Sequence, residues 1–176
     1  IRSKMVKLKL NPEDRKILKE WFSTTRYVYN RGLDEVKING DYNFQKLRNK
    51  LVTCKVKGIR NENVKDFELN TPKDIRAGAL QDLSTSFKSG WSKLKAGQIK
   101  QFEVDYRKKK NPSQASIVIP KTSVKILGNK RIKIFGKFIK SEIKTKEEIR
   151  NIQHDCRLVW KYPSEFHIIV PYKKKS

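Results

Sequence analysis

Little in this chain could staple it together or carry it into a membrane. Its 176 residues include two cysteines, one methionine, six prolines and eight glycines. Cys54 and Cys156 stand in unrelated contexts with no CxxC spacing and no pair of histidines nearby. His154 and Cys156 alternate onto one face of a strand, yet a zinc site takes three or four ligands. A disulfide framework and a structural metal are therefore excluded as the means of folding, and reduced thiols in an intracellular protein are expected. No run of about 18 apolar residues occurs and no secretory pattern opens the chain, so no membrane partner is expected.

Acidic residues are scarce as well. Asp and Glu number 18 against 42 Lys and Arg, which leaves a net charge of +24 and a pI near 10.1. Self-repulsion on this scale is relieved by a polyanion, and nucleic acid is the partner it implies. The excess is uneven: +8 over residues 1–70, zero over 71–87, +13 over 88–140, where 15 basic residues meet 2 acidic ones, and +3 over 141–176. The length suffices for one good core or two small sub-domains sharing a boundary.

What is present is strong periodicity. Val6, Leu8 and Leu10 alternate with Lys7 and Lys9 as a half-buried strand. Asn11-Pro12-Glu13-Asp14 then opens a helix whose apolar stripe runs from Ile17 through Trp21, Phe22, Val28, Tyr29 and Leu33 to Val36, ending before Asn39-Gly40. A shorter stripe, Phe44, Leu47 and Leu51 behind Asn43, predicts a few more turns, and Thr53 to Asn70 reads as a loose connection. Thr71-Pro72-Lys73-Asp74 predicts a further helix start, capped by the Thr71 side chain with Pro72 at the first helical position. The stripe Ile75, Ala79, Leu80, Leu83, Phe87, Trp91 and Leu94 follows, and places Phe87 and Trp91 in the core.

After Asn111-Pro112 the period changes from helix to strand. Short runs at Ser116–Pro120, Val124–Ile126, Arg131–Phe135, Phe138-Ile139, Ile152–Trp160 and Phe166–Val170 are bounded by Gly or Pro, with a hairpin turn at Gly128-Asn129. The expectation is an α+β fold: a small antiparallel β-barrel, wedge-like and OB-like, with a helical bundle inserted after its first strand. Residues 1–10 supply that strand, 11–110 the inserted lobe, and 111–176 the rest of the barrel.

Trp21-Phe22 with Arg26-Tyr27-Val28-Tyr29-Asn30, the helix Ile75–Leu83, Phe102 with Tyr106-Arg107-Lys108-Lys109, Ile119-Pro120, and Asp155–Val159 with Phe166–Tyr172 follow one another in an order that is familiar. In that order they resemble the amino-terminal half of the transposon-encoded TnpB proteins, and most of all the Fanzor branch. The resemblance implies an RNA-guided DNA endonuclease whose barrel and helical lobe hold a structured guide RNA and read a short motif on target double-stranded DNA. In that family a RuvC-like nuclease domain follows and uses magnesium. Here Lys173-Lys174-Lys175-Ser176 stands where the first nuclease strand would lead on, so no cofactor, metal ligand or catalytic residue is assigned to these 176 residues.

Recognition chemistry can be assigned by residue. Arg107, Lys108, Lys109 and Lys110 are candidate phosphate contacts in a basic tail, with Lys88 and Lys93 at the far end of the preceding helix. Tyr106, flanked by Asp105 and Arg107, is the candidate for base stacking. Arg26 and Asn30, four residues apart on one helix side, contact RNA or pair locally. Lys73 and Arg76 lie in the first turns of a helix whose N-terminus favours anions, and Ala77 and Gly78 allow close approach. The resemblance gives Lys73, Arg76 and Ala77 a part in reading DNA, Arg76 by a bidentate guanine contact, and it places Lys121 near DNA. Two rivals remain open: a stand-alone RNA- or DNA-binding protein, such as a transcription repressor, and a structural protein of an anion-rich particle.

Overall fold

The computed structural model describes residues 1–110 and 116–173, so the boundary at Asn111-Pro112 and the terminal Lys174-Lys175-Ser176 lie outside the described residues. Strand β1 takes Arg2–Lys9 and helix α1 takes Pro12–Asn39. Asn11 caps α1, its side chain accepting from the Asp14 N–H at 2.8 Å, and Gly40 ends it in a left-handed conformation at φ 73°. Helix α2, Phe44–Leu51, is capped in the same way by Asn43, which accepts from the Lys46 N–H at 3.0 Å.

The next stretch is more ordered than its lost periodicity suggests. Strands β2, Lys55–Val56, and β3, Ile59–Arg60, form a minimal hairpin, and a 3-10 turn covers Asp66–Asn70. Asn61 gathers it, donating through Nδ2 to the carbonyls of Lys50 and Thr53 at 2.9 Å each. Helix α3, Lys73–Lys95, starts later than expected. Pro72 sits at the cap, its carbonyl accepting from the Ile75 and Arg76 N–H groups, while Thr71 closes the preceding 3-10 turn on Glu68. The Thr71 hydroxyl is buried and makes no hydrogen bond, so it does not cap the helix.

The remaining strands are β4 Ile117–Ile119, β5 Val124–Gly128, β6 Arg131–Ile134, β7 Ile143–Thr145, β8 Cys156–Lys161 and β9 Glu165–Tyr172. They join β1 in one antiparallel sheet of order β4-β8-β9-β1-β7-β6-β5. The sheet curls into a half-barrel whose edges, β4 and β5, do not pair, a more open form of the expected small antiparallel barrel. β1 makes this possible by changing partner: Arg2 to Lys7 face β9, and Leu8 and Lys9 face β7. Phe138-Ile139 is a turn, not a strand, and β8 begins at Cys156, not Ile152. β7 escaped sequence reading because three residues are too few to display a period.

Two cores meet along α1. Its first half sends Leu18, Trp21 and Phe22 into the half-barrel, among Val6, Ile119, Phe166 and Ile168, and α3 adds Ile75. Trp21 lies edge-on to Phe135 at 5.7 Å and to Phe138 at 6.3 Å. The second half sends Val28, Tyr29, Leu33 and Val36 into a helical core with Leu47, Leu51, Leu80 and Leu83. The helices and the sheet therefore share a helix and do not form two separately packed bodies. Trp91 is 44% exposed and so is not core. Phe87 is half-buried, stacked on Tyr42 at 5.4 Å.

Three measurements test this packing. Trp21→Ala should cost about 3–5 kcal/mol in denaturant titration, since both the half-barrel and α1 lose their anchor. A Cβ on Gly32 would meet Leu80 Cδ2 at 2.6 Å and Leu83 Cδ2 at 2.8 Å, so Gly32→Ala should cost about 1–3 kcal/mol despite alanine's better helix propensity. Burial pushes the Cys156 thiol up to about 11, whereas Cys54 is only half-buried. Iodoacetamide at pH 8 should therefore give one adduct on the native protein and two on the unfolded chain.

Candidate nucleic-acid interface

The basic segment after α3 is not a free tail. Residues 102–110 run back along α1, from its C-terminal end toward its middle. Phe102 and Val104 face Val36 and Gly40 across an apolar groove. Tyr106 donates its hydroxyl proton to the Asp34 carboxylate, and Lys37 sits 4.1 Å over its ring. Asn30 then pins the backbone of Arg107, accepting its N–H at 2.8 Å and donating to its carbonyl at 3.0 Å. Lys109 and Lys110 are thereby brought to Arg26, one turn before Asn30 on the same side of α1.

Arg107 itself turns inward. Its guanidinium lies 3.8 Å over the Tyr29 ring, and its Nη1 is buried without a hydrogen-bond partner. Burial lowers its pKa; Tyr29 and Asp82 oppose that shift and Arg157 adds to it. Beside it Arg157, on β8, makes a bidentate pair with Asp82, on α3, at 2.8 and 2.9 Å, and reaches the Ser116 hydroxyl at 2.8 Å. Its pKa is raised first by the hydrogen bond to Asp82, with burial opposing. Arg157 thus takes the Asp82 carboxylate, and Arg107 feels it through space from its place on the Tyr29 ring.

These positions revise several sequence-based expectations. Arg107 is half-buried and stacked on a protein ring, not extended toward solvent as a phosphate contact. Tyr106 has one ring face covered by Lys37, which limits it as a stacking platform. Arg76 is 3% exposed, donating from Nε to the Thr71 carbonyl at 3.1 Å and from Nη1 to the Val52 carbonyl at 3.5 Å. It ties the end of α2 to the start of α3, so in this conformation its guanidinium is not placed to pair with a guanine. Ala77 is buried too, and the close approach that Gly78 allows is made by Val118 of β4, 3.3 Å from where a Cβ would stand.

Other candidates do lie at the surface. Lys73, Lys88, Lys93, Lys108, Lys109, Lys110 and Lys121 are exposed, and the Lys121 N–H is held by Asp155 at 2.9 Å. Lys88 faces residues 39–43 at the far end of α1, about 20 Å from Arg26 at 1.5 Å per residue. Arg26, Lys109 and Lys110 meet Ser23, Trp160 and Tyr162 around an opening of about 490 Å³. Sequence reasoning missed Asp82–Arg157, and with them Trp160 of β8 and Tyr162 in the turn that follows it. Asp82 and Arg157 are 75 positions apart on unlike elements, and neither residue carries a local signal of the other.

A family model described as a helix-turn-helix domain, that of IS605 OrfB, matches residues 1–38. The match covers less than a quarter of the chain and is a coarse likeness to the IS605 OrfB family, whose helix-turn-helix description suggests nucleic-acid binding. No curated protein matches the sequence. The matched stretch holds β1 and the unbroken α1 alone. The turn at residues 40–43 and the second helix, α2, lie beyond it. Among the described residues no helix is long and apolar enough to cross a membrane, and no three His, Cys, Asp or Glu group as a metal site.

The clamp has a direct test. Asn30→Ala leaves the Arg107 N–H and carbonyl without their partner, which should cost about 1–3 kcal/mol and speed tryptic cleavage at residues 107–110. An unchanged digestion rate would mean that Asn30 does not hold the segment.

Proposed function

We propose that this chain is the recognition half of an RNA-guided DNA endonuclease, holding a structured guide RNA and reading a short motif on double-stranded target DNA. The observation that carries the reading is the coincidence of two features on one helix. The OrfB-family match falls on β1 and α1, and α1 is the helix along which the basic segment 102–110 is laid. The ordered resemblance to TnpB proteins, and to the Fanzor branch in particular, supplies the guide RNA and the nuclease context. No metal-dependent cutting is assigned to the described residues.

The physical division of labour follows. Guide pairing reads sequence, so the protein is asked for shape, backbone charge and a short motif contact. Exposed Lys108, Lys109, Lys110, Lys88 and Lys93 supply backbone charge, Arg26 with them. Lys73, at the start of α3, and Lys121, in the turn after β4, are the surface cations on the side offered to DNA. Arg76 and Ala77 support that side from beneath, and Arg107 and Asn30 set the position of the basic run.

Sequencing the RNA crosslinked to the protein in cells tests the reading. One dominant structured transcript with a variable end supports it; a smear of cellular RNA with no enriched species supports a stand-alone nucleic-acid binder instead. In vitro, replacing Lys108, Lys109 and Lys110 together by Ala should flatten the log–log salt slope of RNA binding by up to about 2–3. An unchanged slope would remove these lysines from the interface.

A further inference from the structure

Among the described residues, the aromatic side chain most open to solvent has no role in the assignments above. Tyr162, in the turn between β8 and β9, is 75% exposed, whereas Trp160 and Phe166 beside it are packed. Trp160 lies parallel to Phe166 at 5.7 Å, is met by Phe22 at 5.8 Å, and donates its Nε1 proton to the Pro163 carbonyl at 3.1 Å. The turn is thus anchored by Trp160, and Tyr162 is tilted by 37° from it at 6.3 Å. A rigid base presents a phenol ring to solvent, with no protein ring parallel to it.

What faces that ring is cationic. Arg26 of α1 and Lys109 and Lys110 of the clamped segment line the same opening, with Ser23, Trp160 and Tyr162. Among the described residues no carboxylate lines it. Its volume of about 490 Å³ falls in the range of small-ligand sites, about 300–1,000 Å³. Three cations without a counter-charge repel one another, and their gathering is relieved by an anion. An anion alone leaves the aromatic wall unused. The group that satisfies both is a nucleotide, with its base on the Tyr162 ring and its phosphate among Arg26, Lys109 and Lys110.

We propose that this opening seats one unpaired nucleotide, stacked on Tyr162 and held at its phosphate by Arg26, Lys109 and Lys110. A base inside a duplex has both faces covered by its neighbours, so the seat takes a single-stranded end, bulge or loop. The proposal rests on the nucleic-acid reading above and goes beyond it in naming the element that is held. It also gives the Asn30–Arg107 clamp a purpose: pinning Arg107 fixes where the two following lysines of the seat can reach. The Ser23 hydroxyl adds one donor or acceptor at the wall, so stacking dominates over base identity.

Equilibrium binding by the full chain of labelled 10-nucleotide RNA and DNA strands, an abasic strand of the same length, and a hairpin duplex without unpaired bases tests it. Tyr162→Ala should weaken single-strand binding by about 5- to 100-fold, the range of one stacked base. It should leave the abasic strand and the duplex within about twofold, and Tyr162→Phe should bind like the unaltered chain. RNA favoured over DNA would identify a guide strand as the source, and equal binding a sugar-blind seat; both support the proposal. Equal loss on all four probes, or loss with Tyr162→Phe as well, would overturn it in favour of a general polyanion groove or a disturbed fold. Single-strand binding unchanged by Tyr162→Ala would overturn the seat while leaving the nucleic-acid reading intact. Failure of the unaltered chain to bind any probe would bring down both.

Discussion

The structure depends on one helix serving two cores. α1 spends no turn as a mere connector: its first half closes the half-barrel with Leu18, Trp21 and Phe22, and its second half builds the helical core with Val28, Leu33 and Val36. Burying a large apolar side chain stabilises by about 1.5–3 kcal/mol, so each half contributes several such increments, and neither core can be loosened without moving the other's helix. A net charge of +24 works against any compact state, which makes this shared burial all the more necessary.

That same helix then organises charge. Its polar side carries Arg26, Asn30, Asp34 and Lys37, the last three each engaged with residues 106–107. An apparently featureless basic run becomes a positioned one through neutral amide hydrogen bonds, whose strength does not fall with salt as an ion pair's does. Deeper in, Asp82 pairs with one of two guanidiniums. Arg157 takes the bidentate geometry, and Arg107 makes do with the Tyr29 ring. Removing Asp82 would leave two half-buried like charges at the junction of α1, α3 and β8, so this carboxylate is structural even in a protein short of acid.

Most elements were legible because they are long. α1 announces itself by Asn11-Pro12 and a stripe that runs from Ile17 to Val36 of its 28 residues, and β9 by alternation through Val170. The errors fall where local pattern stops deciding. Thr71 resembles a cap, but it already terminates the 3-10 turn before it. Arg76 reads as surface by charge, yet the Thr71 and Val52 carbonyls draw it inside. Arg107 looks like one cation among four, and only tertiary contact with Asn30 and Tyr29 separates it from its neighbours. Closed versus open sheet could not be read either, because edge pairing between β4 and β5 leaves no trace in either strand's own alternation.

The central claim is that nucleic acid is gripped along one side of α1, by a segment the helix itself holds in place. Hydrogen exchange of the chain with and without structured RNA tests it most directly, because backbone protection reports position whatever the affinity. The account predicts added protection at residues 106–110 and in the β8–β9 turn around Tyr162, with β2 and β3 unchanged. Protection confined to the opening around Lys4, Lys130 and Lys146, with residues 106–110 exchanging as in the free chain, would contradict it.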